Sequence, residues 1–264
     1  KSASVLGEPE HLNMAQSAAQ FLFDKLSSNG KDLRRTWRDG VATIPAFAPD
    51  YAMLIQGLID LYEASFELRW LTWALELQAE FDTKFWDADK GGYFSVSKAI
   101  AHSVLQVKED YDSAEPSPNS VAALNLLRLG HLLAREDLRL RGEQVLRLFG
   151  KGLERSPFSM PVMVCALDYL RHGETEIVLA GVRGEPGFEA LATDVRRRSL
   201  PHAVVLHADG GEGQAFLAQN NKALAAMKPV NGQAAAYVCR NRTCQAPVTS
   251  VEALAKLLDP APKN

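Results

Sequence analysis

The helices predicted over residues 1–172 alternate between two kinds of surface, and this alternation limits what the chain can fold into. A helix that is apolar on all sides must be surrounded by other elements, whereas an amphipathic helix faces solvent on one side. Apolar helices are predicted at 50–66, 117–134 and 156–170, and amphipathic helices at 9–26, 69–86 and 136–153. The order predicts an inner and an outer layer of helices that are joined along the chain as hairpins.

The residues at the predicted helix starts are typical helix-capping residues. Asp50 is predicted as the N-cap of the first apolar helix, because an aspartate side chain accepts hydrogen bonds from the first free backbone N–H groups. Ser117 is predicted to cap the second apolar helix, with Pro118 at its first position. The pair Ser156 and Pro157 is predicted to open the third apolar helix in the same way.

The pattern changes after Gly173. Short β-branched runs of strand length occur at 175–182 and 202–208, and a helical pattern lies between them at 188–198. This order favours a βαβ-like unit with parallel strands. A third strand is predicted at 234–239 and a closing helix at 250–258. The sequence therefore predicts a mainly α chain, with helical hairpins over residues 1–172 and a small α/β subdomain over residues 173–264.

Composition and charge argue against several classes of partner. The net charge of −3 and the isoelectric point near 6.1 do not suit a protein that binds nucleic acid or an anionic membrane. No stretch approaches the roughly 20 apolar residues that a membrane-spanning helix needs. No signal peptide is predicted, although a portion upstream of the non-Met start is left open as a carrier of a targeting signal. A cytoplasmic location is therefore the expectation.

Three long connections hold most of the unusual polar residues. They span residues 36–51, 85–100 and 107–120, and the second is predicted to form a β-hairpin with Gly91 and Gly92 at its bend. Two of these connections lead into inner helices. A layered helical array would bring the connections together at one end, so we expect their charges to line the mouth of a cavity there.

Carboxylates that converge beside aromatic rings would suit glycosidic chemistry. One carboxyl group donates a proton while another stabilises positive charge or activates water. Asp50 and Asp112 are the predicted acid/base pair, with Glu115 as a further catalytic candidate. The interpretation as ordinary structural groups stays open, because Asp50 also suits a helix cap and Asp87 also suits the turn before Gly91. The predicted substrate-binding residues are Trp37, Arg38, Asp39, Tyr51, Trp86, Asp87, Lys108, Tyr111, Ser117 and Asn119.

Histidine and cysteine residues add weaker hypotheses. His131 is predicted to be a core residue with a satisfied hydrogen bond, and Cys165 is predicted to pack in the core. His202 has no acidic or cysteine neighbour along the chain at zinc-ligand spacing, so no metal site is predicted. Cys239 and Cys244 are spaced either to close a small disulfide loop or to present a reactive thiol. No cofactor is predicted, since phosphate-loop and dinucleotide motifs are absent from the sequence.

Five segments in the same order resemble the YyaL-type, or spermatogenesis-associated, thioredoxin-like proteins. They read TWRDG (36–40), DYAMLIQGLIDLYEASF (50–66), FWDADKGGYF (85–94), VKEDYDSAEPSPNSVAALNLLRL (107–129) and AYVCRNRTCQAPV (236–248). The resemblance covers nearly the whole chain. It implies a helical toroid of the six-hairpin glycosidase type, related in fold to N-acylglucosamine 2-epimerases, of which this chain is the C-terminal part.

The resemblance also carries expectations about partners and function. The missing N-terminal thioredoxin-like domain and the remaining hairpins of the toroid would be partners, together with a carbohydrate ligand. Two functions follow as hypotheses: sugar binding, hydrolysis or epimerisation in the toroid, and a non-catalytic scaffold that presents clients to the thioredoxin-like domain. The base histidine of the 2-epimerases has no counterpart in the matching motifs, which speaks against epimerisation.

Overall fold

The computed structural model describes residues 1–99, 105–173, 175–241 and 243–259. Its helical part contains α1 (Ser2–Leu6), α2 (Pro9–Leu26), α3 (Ala48–Ser65), α4 (Leu68–Phe85), α5 (Pro118–Leu132), α6 (Glu136–Arg155) and α7 (Pro161–His172), with two short strands, β1 (Trp37–Arg38) and β2 (Val41–Ala42). The C-terminal part contains β3 (Thr175–Ala180), α8 (Pro186–Arg197), β4 (Ala203–Ala208), α9 (Glu212–Leu217), β5 (Ala235–Arg240), β6 (Thr243–Cys244) and α10 (Val251–Leu258). Within the described residues, no helix is both long enough and apolar enough to cross a membrane.

Helices α3 and α5 form the inner layer. Nearly every residue of α5 is buried, and α3 is buried around most of its circumference. Each inner helix packs against the amphipathic helix that follows it, α4 on α3 and α6 on α5. Helices α3 and α5 also contact each other, where the side-chain amide of Asn125 donates to the carbonyl of Ala52 at 2.8 Å. The predicted hairpins of inner and outer helices are therefore confirmed.

Helix α7 differs from the prediction in two ways. It begins at Pro161, because Ser156 and Pro157 lead into a single 3₁₀ turn instead of opening the α-helix. Its buried face contains Met163, Ala166 and Tyr169, which leaves Cys165 on the opposite, exposed face. The prediction that Cys165 packs in the core was wrong, since the described part of the chain covers this helix on one side only.

The four strands of the C-terminal sheet lie in the order β4-β3-β5-β6. Strands β3 and β4 are parallel and are joined through α8, as predicted, while β5 runs antiparallel to β3. Strand β3 is buried on both faces: Val178 and Ala180 join the helical core, whereas Ile177 and Leu179 pack with residues of α8 and α10. The expected mainly helical chain with a small mixed sheet near the C-terminus is confirmed.

The predicted β-hairpin over residues 85–100 is reduced to one turn. A single bridge joins Trp86 to Tyr93, and the carboxylate of Asp87 accepts backbone hydrogen bonds from the turn. Gly91 and Gly92 both have positive φ, near +77° and +76°, so the bend lies where it was expected. Residue 100, at the end of the predicted hairpin, lies outside the described residues.

Candidate functional site

The connections between helices meet at the N-terminal end of α3 and α5. The backbone N–H of Ala48 donates to the carbonyl of Ser95 at 3.2 Å, and the N–H of Ser95 donates to Val107 at 2.8 Å. The N–H of Asp112 donates to the carbonyl of Ser159 at 2.9 Å, in the turn before α7. The polar residues that the sequence singled out therefore lie near the same end of the helical layers, although most of them have structural partners.

Asp112 joins two helix starts. Its Oδ1 accepts from the N–H of Ser117, the N-cap of α5, and its Oδ2 accepts from the N–H of Val162 in the first turn of α7, both at 2.8 Å. The residue is 9% exposed. Free N–H groups at a helix start favour a negative charge. Both carboxylate oxygens of this predicted acid/base residue thus accept hydrogen bonds from backbone N–H groups.

Asp50 has a related role, although not at the predicted position. It is the third residue of α3, and its Oδ2 accepts from the backbone N–H of Phe47, which is the N-cap, at 2.8 Å. The same oxygen lies 3.2 Å from Nη1 of Arg35, which is its cationic partner. The prediction of Asp50 as the N-cap was wrong by three residues, because Pro49 allows the helix to start earlier.

Asp87 and Lys108 form a partly buried ion pair at 2.7 Å that joins two connections. The Lys108 ammonium group also donates to the carbonyl of Gly91 at 2.6 Å. The hydrogen bond from Lys108, together with the backbone bonds of the turn, lowers the pKa of Asp87 below its ordinary value. Two of the predicted substrate-binding residues therefore contact each other and hold the turn at Gly91.

The buried members of the predicted set also stabilise the fold. Asn119 accepts from the N–H of Tyr93 at 2.7 Å and donates to the Tyr93 and Glu109 carbonyls at 2.9 and 2.8 Å. Ser117 accepts from the N–H of Ser120 at 3.1 Å, which confirms it as the cap of α5.

Two aromatic members of the predicted set pack against neighbouring rings, Tyr51 fully buried and Trp86 partly buried. Tyr51 is 1% exposed and stacks on Phe81 with ring centroids 5.6 Å apart, and its burial raises its pKa above the ordinary value. Trp86 packs edge-to-face on Tyr93 at 5.0 Å, and the guanidinium of Arg141 lies 5.2 Å from its ring centroid.

The remaining predicted residues are exposed. Arg38 and Asp39 form a surface ion pair with each other at 3.4 Å, and both side chains are almost fully exposed. Trp37 is 40% exposed and packs edge-to-face on Phe21. Tyr111 is 64% exposed, and Glu115 is exposed as well. These five side chains are accessible to a ligand, whereas the two predicted carboxylates of the acid/base pair are engaged in hydrogen bonds.

Two partly buried ionic networks among the described residues were not predicted. Asp82, on α4, accepts from Tyr93 at 2.6 Å and from Gln78 at 2.8 Å and pairs with Arg141, while its burial raises its pKa. Arg128, on the inner helix α5, pairs with Asp60 at 2.7 Å and Glu63 at 2.6 Å of α3. An arginine within an otherwise apolar helix was the available signal, since a buried cation requires a buried anionic partner.

A cleft of about 1050 Å³ lies between the helices and the sheet. His131 and Tyr169 line it, and their Nδ1 and hydroxyl oxygen are 2.9 Å apart. Glu176 and Asn221 also line it, and the Asn221 side chain donates to the Glu176 carboxylate at 3.1 Å. Burial lowers the pKa of His131 to about 4 and raises the pKa of Glu176. A concave surface with convergent polar groups and shifted pKa values is the usual form of a ligand site.

The wall of this cleft also contains the disulfide between Cys239 and Cys244. The two residues are paired across strands β5 and β6. The sequence left open whether these cysteines form a disulfide or present a reactive thiol, and the structure contains the disulfide. Cys239 is 5% exposed, while Cys244 is exposed. Apart from these two cysteines, none of the predicted site residues lines the cleft, because the loop connections and the cleft lie in different parts of the fold.

One group of side chains in the described residues has metal-ligating geometry. Asp168, His172 and His202 each offer a ligand atom, and the three atoms lie within 4.8 Å of one another. His202 thus has an acidic neighbour that its position in the sequence does not reveal.

Comparison with known proteins gives consistent relatives over nearly the whole chain. The sequence is 37% identical over 271 residues to spermatogenesis-associated protein 20 of Homo sapiens. The aligned region covers 98% of this chain and 34% of that protein. The chain is homologous to spermatogenesis-associated protein 20. The Mus musculus protein of the same name is 36% identical over 270 residues, covering 97% of this chain and 34% of its own length. The resemblance noted from the sequence motifs is confirmed.

An uncharacterized protein of Caenorhabditis elegans is 32% identical over 270 residues, covering 98% of this chain and 36% of its own. The chain therefore spans about a third of the length of these relatives. No family model matches the sequence. Among solved structures, cellobiose 2-epimerase from Bacillus thermoamylovorans B4167 is similar, with a TM-score of 0.45 and 16% identity over 56% of this chain and 40% of that one.

Proposed function

We propose that this chain is a non-catalytic binding scaffold within a longer protein, and that its client occupies the cleft between the helices and the sheet. The observation that carries the proposal is the bonding of Asp112. Each of its carboxylate oxygens accepts a backbone N–H at 2.8 Å at a helix start. A general acid must present a carboxyl oxygen to the substrate. Asp112 instead joins α5 to α7, and Asp50 holds the start of α3.

The disulfide in the cleft wall suggests that the client carries a thiol. A thiolate of the client would attack the sulfur of the exposed Cys244, forming a new S–S bond. The bond between Cys244 and Cys239 breaks, and the Cys239 sulfur leaves as a thiolate that takes up a proton. A second thiol of the client then attacks the mixed disulfide and releases Cys244. A dithiol client is thereby oxidised to a disulfide, and the pair is reduced. The thioredoxin-like domain that the resemblance implies is one source of such a dithiol.

Two single variants of the full-length protein form a matched test of this exchange. Cys239→Ser leaves the exposed Cys244 free, whereas Cys244→Ser leaves the buried Cys239 free. Glutathione disulfide is added to each folded variant, and the mass of the glutathione adduct is followed with time. Peptide mapping locates each adduct, because the exposed Cys165 remains in both variants. We expect faster modification at Cys244 in Cys239→Ser than at Cys239 in Cys244→Ser, because Cys244 is the exposed one of the pair. Equal rates in the folded proteins, or adducts that form only after urea denaturation, would show that the pair is a structural disulfide and that the exchange part of the proposal is wrong.

A carbohydrate ligand at the loop connections is a second candidate. It is supported by the exposure of Trp37 and Tyr111, two aromatic rings in connections of the helical part. Aromatic rings can stack on sugar faces. Thermal-shift measurements with a panel of mono- and disaccharides on the full-length protein test this role, with Trp37→Ala and Tyr111→Ala compared with Leu140→Ala, an exposed residue of α6. The sugar hypothesis predicts a shift that the two aromatic variants lose and the control keeps. Absence of any shift would contradict it.

A further inference from the structure

Three potential metal ligands meet where helix α7 approaches the start of strand β4. Asp168 and His172 lie four residues apart on α7, and His202 lies in the turn before β4. Oδ1 of Asp168 is 2.9 Å from Nδ1 of His172, and its Oδ2 is 2.5 Å from Nε2 of His202. The two imidazole rings have centroids 5.4 Å apart. The carboxylate thus lies between two ring nitrogens that face it from different elements.

The donor set fits a particular class of cation. Two imidazole nitrogens and one carboxylate oxygen are ligands that Zn²⁺ and similar divalent transition metals accept, while Ca²⁺ and Mg²⁺ prefer oxygen alone. Ligand atoms around tetrahedral Zn²⁺ lie about 3.3 Å apart, given metal–ligand distances near 2.0–2.1 Å. The two nitrogen–oxygen separations of 2.9 and 2.5 Å involve different oxygens of Asp168, and the three ligand atoms lie within 4.8 Å of one another. Rotation of these solvent-accessible side chains would place one oxygen and both nitrogens around a single ion.

Accessibility and position also suit metal binding. The side chains of Asp168, His172 and His202 are 50%, 59% and 34% exposed, so an ion can enter from solvent and a water molecule can complete the coordination. His172 is the last residue of the helical part, and His202 precedes a strand of the sheet. An ion held here would therefore link the two parts of the chain.

We propose that Asp168, His172 and His202 form a binding site for a divalent transition-metal ion of the Zn²⁺ class. The site fastens α7 to the beginning of β4 and lies outside the cleft and the loop connections, so it is independent of the proposed scaffold function. The sequence alone does not indicate it, because His202 follows His172 by thirty positions and has no ligand near it in the chain.

The test uses the full-length protein after treatment with a chelator. Zn²⁺ binding is measured by titration calorimetry, and Co²⁺ is used as a spectroscopic probe, because its visible absorption reports coordination by protein ligands. His172→Ala, His202→Ala and the conservative Asp168→Asn remove one ligand each, and His11→Ala on α2 is the control for an exposed histidine. Loss of a residue that merely supports a metal ligand costs about 10–100-fold in affinity, so loss of a ligand should cost at least as much.

We expect one ion per chain at this site, weakened by each of the three substitutions and unaffected by His11→Ala. Zn²⁺ should also raise the melting temperature of the unsubstituted protein and not that of the variants, since a ligand that binds only the folded state stabilises it. Circular dichroism establishes that the variants are folded. An unchanged Co²⁺ spectrum in all three variants, or equal losses in His11→Ala and His172→Ala, would overturn the proposal, and so would the absence of any binding.

Discussion

Replacing Asp112 with asparagine separates a structural role of this carboxylate from a catalytic one. Asparagine keeps one acceptor oxygen, but its amide N–H₂ group would face one of the two backbone N–H groups that Asp112 now accepts at 2.8 Å. One hydrogen bond is lost, one donor at a helix start is left unpaired, and the remaining bond loses its charge. Since a hydrogen bond to a charged group contributes about 1.5–3 kcal/mol, we expect the free energy of unfolding to fall by about 2–4 kcal/mol.

The matched control is Glu115→Gln, the same chemical change at an exposed carboxylate three residues further along. Urea denaturation gives the change in free energy, and hydrogen exchange followed by mass spectrometry gives its location. We expect faster amide exchange in peptides that contain Ser117 and Val162, and no change for Glu115→Gln. Unchanged stability and exchange in Asp112→Asn, together with loss of a ligand-dependent or catalytic signal, would refute the structural assignment and favour the acid/base role.

Three further predictions concern the core and the cleft. Burial holds the pKa of His131 near 4 in the folded chain, below the ordinary 6.5. The unfolded chain therefore binds a proton first as the pH falls below 6.5, and the free energy of unfolding should drop by roughly 3 kcal/mol between pH 6.5 and 4. His131→Gln should reduce this pH dependence in denaturation curves measured across that range. Arg128→Met leaves two carboxylates of α3 without their buried cation and should cost about 3–5 kcal/mol in thermal unfolding. The control Arg147→Met, at an exposed ion pair of α6, should change stability by less than about 1 kcal/mol. Equal losses in Arg128→Met and Arg147→Met would contradict a special role of the buried arginine. The double variant Cys239→Ser and Cys244→Ser, measured without reductant, should lose about 2 kcal/mol, since the disulfide closes a short loop.

Much of the helical architecture could be predicted from the sequence. The apolar and amphipathic helices alternate because each surface pattern dictates its surroundings, and the structure places α3 and α5 inside accordingly. Ser117 caps α5 as expected, because its hydroxyl satisfies a backbone N–H within three residues of chain. The parallel pairing of β3 and β4 also followed from the order of the elements, since a helical crossover brings two strands into parallel pairing. These are local properties or properties of the element order.

The sequence did not determine what each polar side chain contacts. Asp112 and Asp87 have the composition of a catalytic cluster, but packing between distant segments gives Asp112 the backbone N–H of Val162 and gives Asp87 a lysine. Asp50 binds the backbone of Phe47 within its own helix start. The apolar helix around Cys165 predicts a core position for it, and only the packing of α7 decided which face is covered.

The same limit applies to the sites that the sequence did not reveal. The cleft lies between residues of α5, α6 and α7 and residues of the sheet, and its lining joins His131 of one part with Glu176 of the other. The group of Asp168, His172 and His202 forms across the same junction. A side chain's local propensity is encoded in its neighbours along the chain, whereas hydrogen-bond and ligand geometry depends on atoms that only the folded chain brings within about 3 Å.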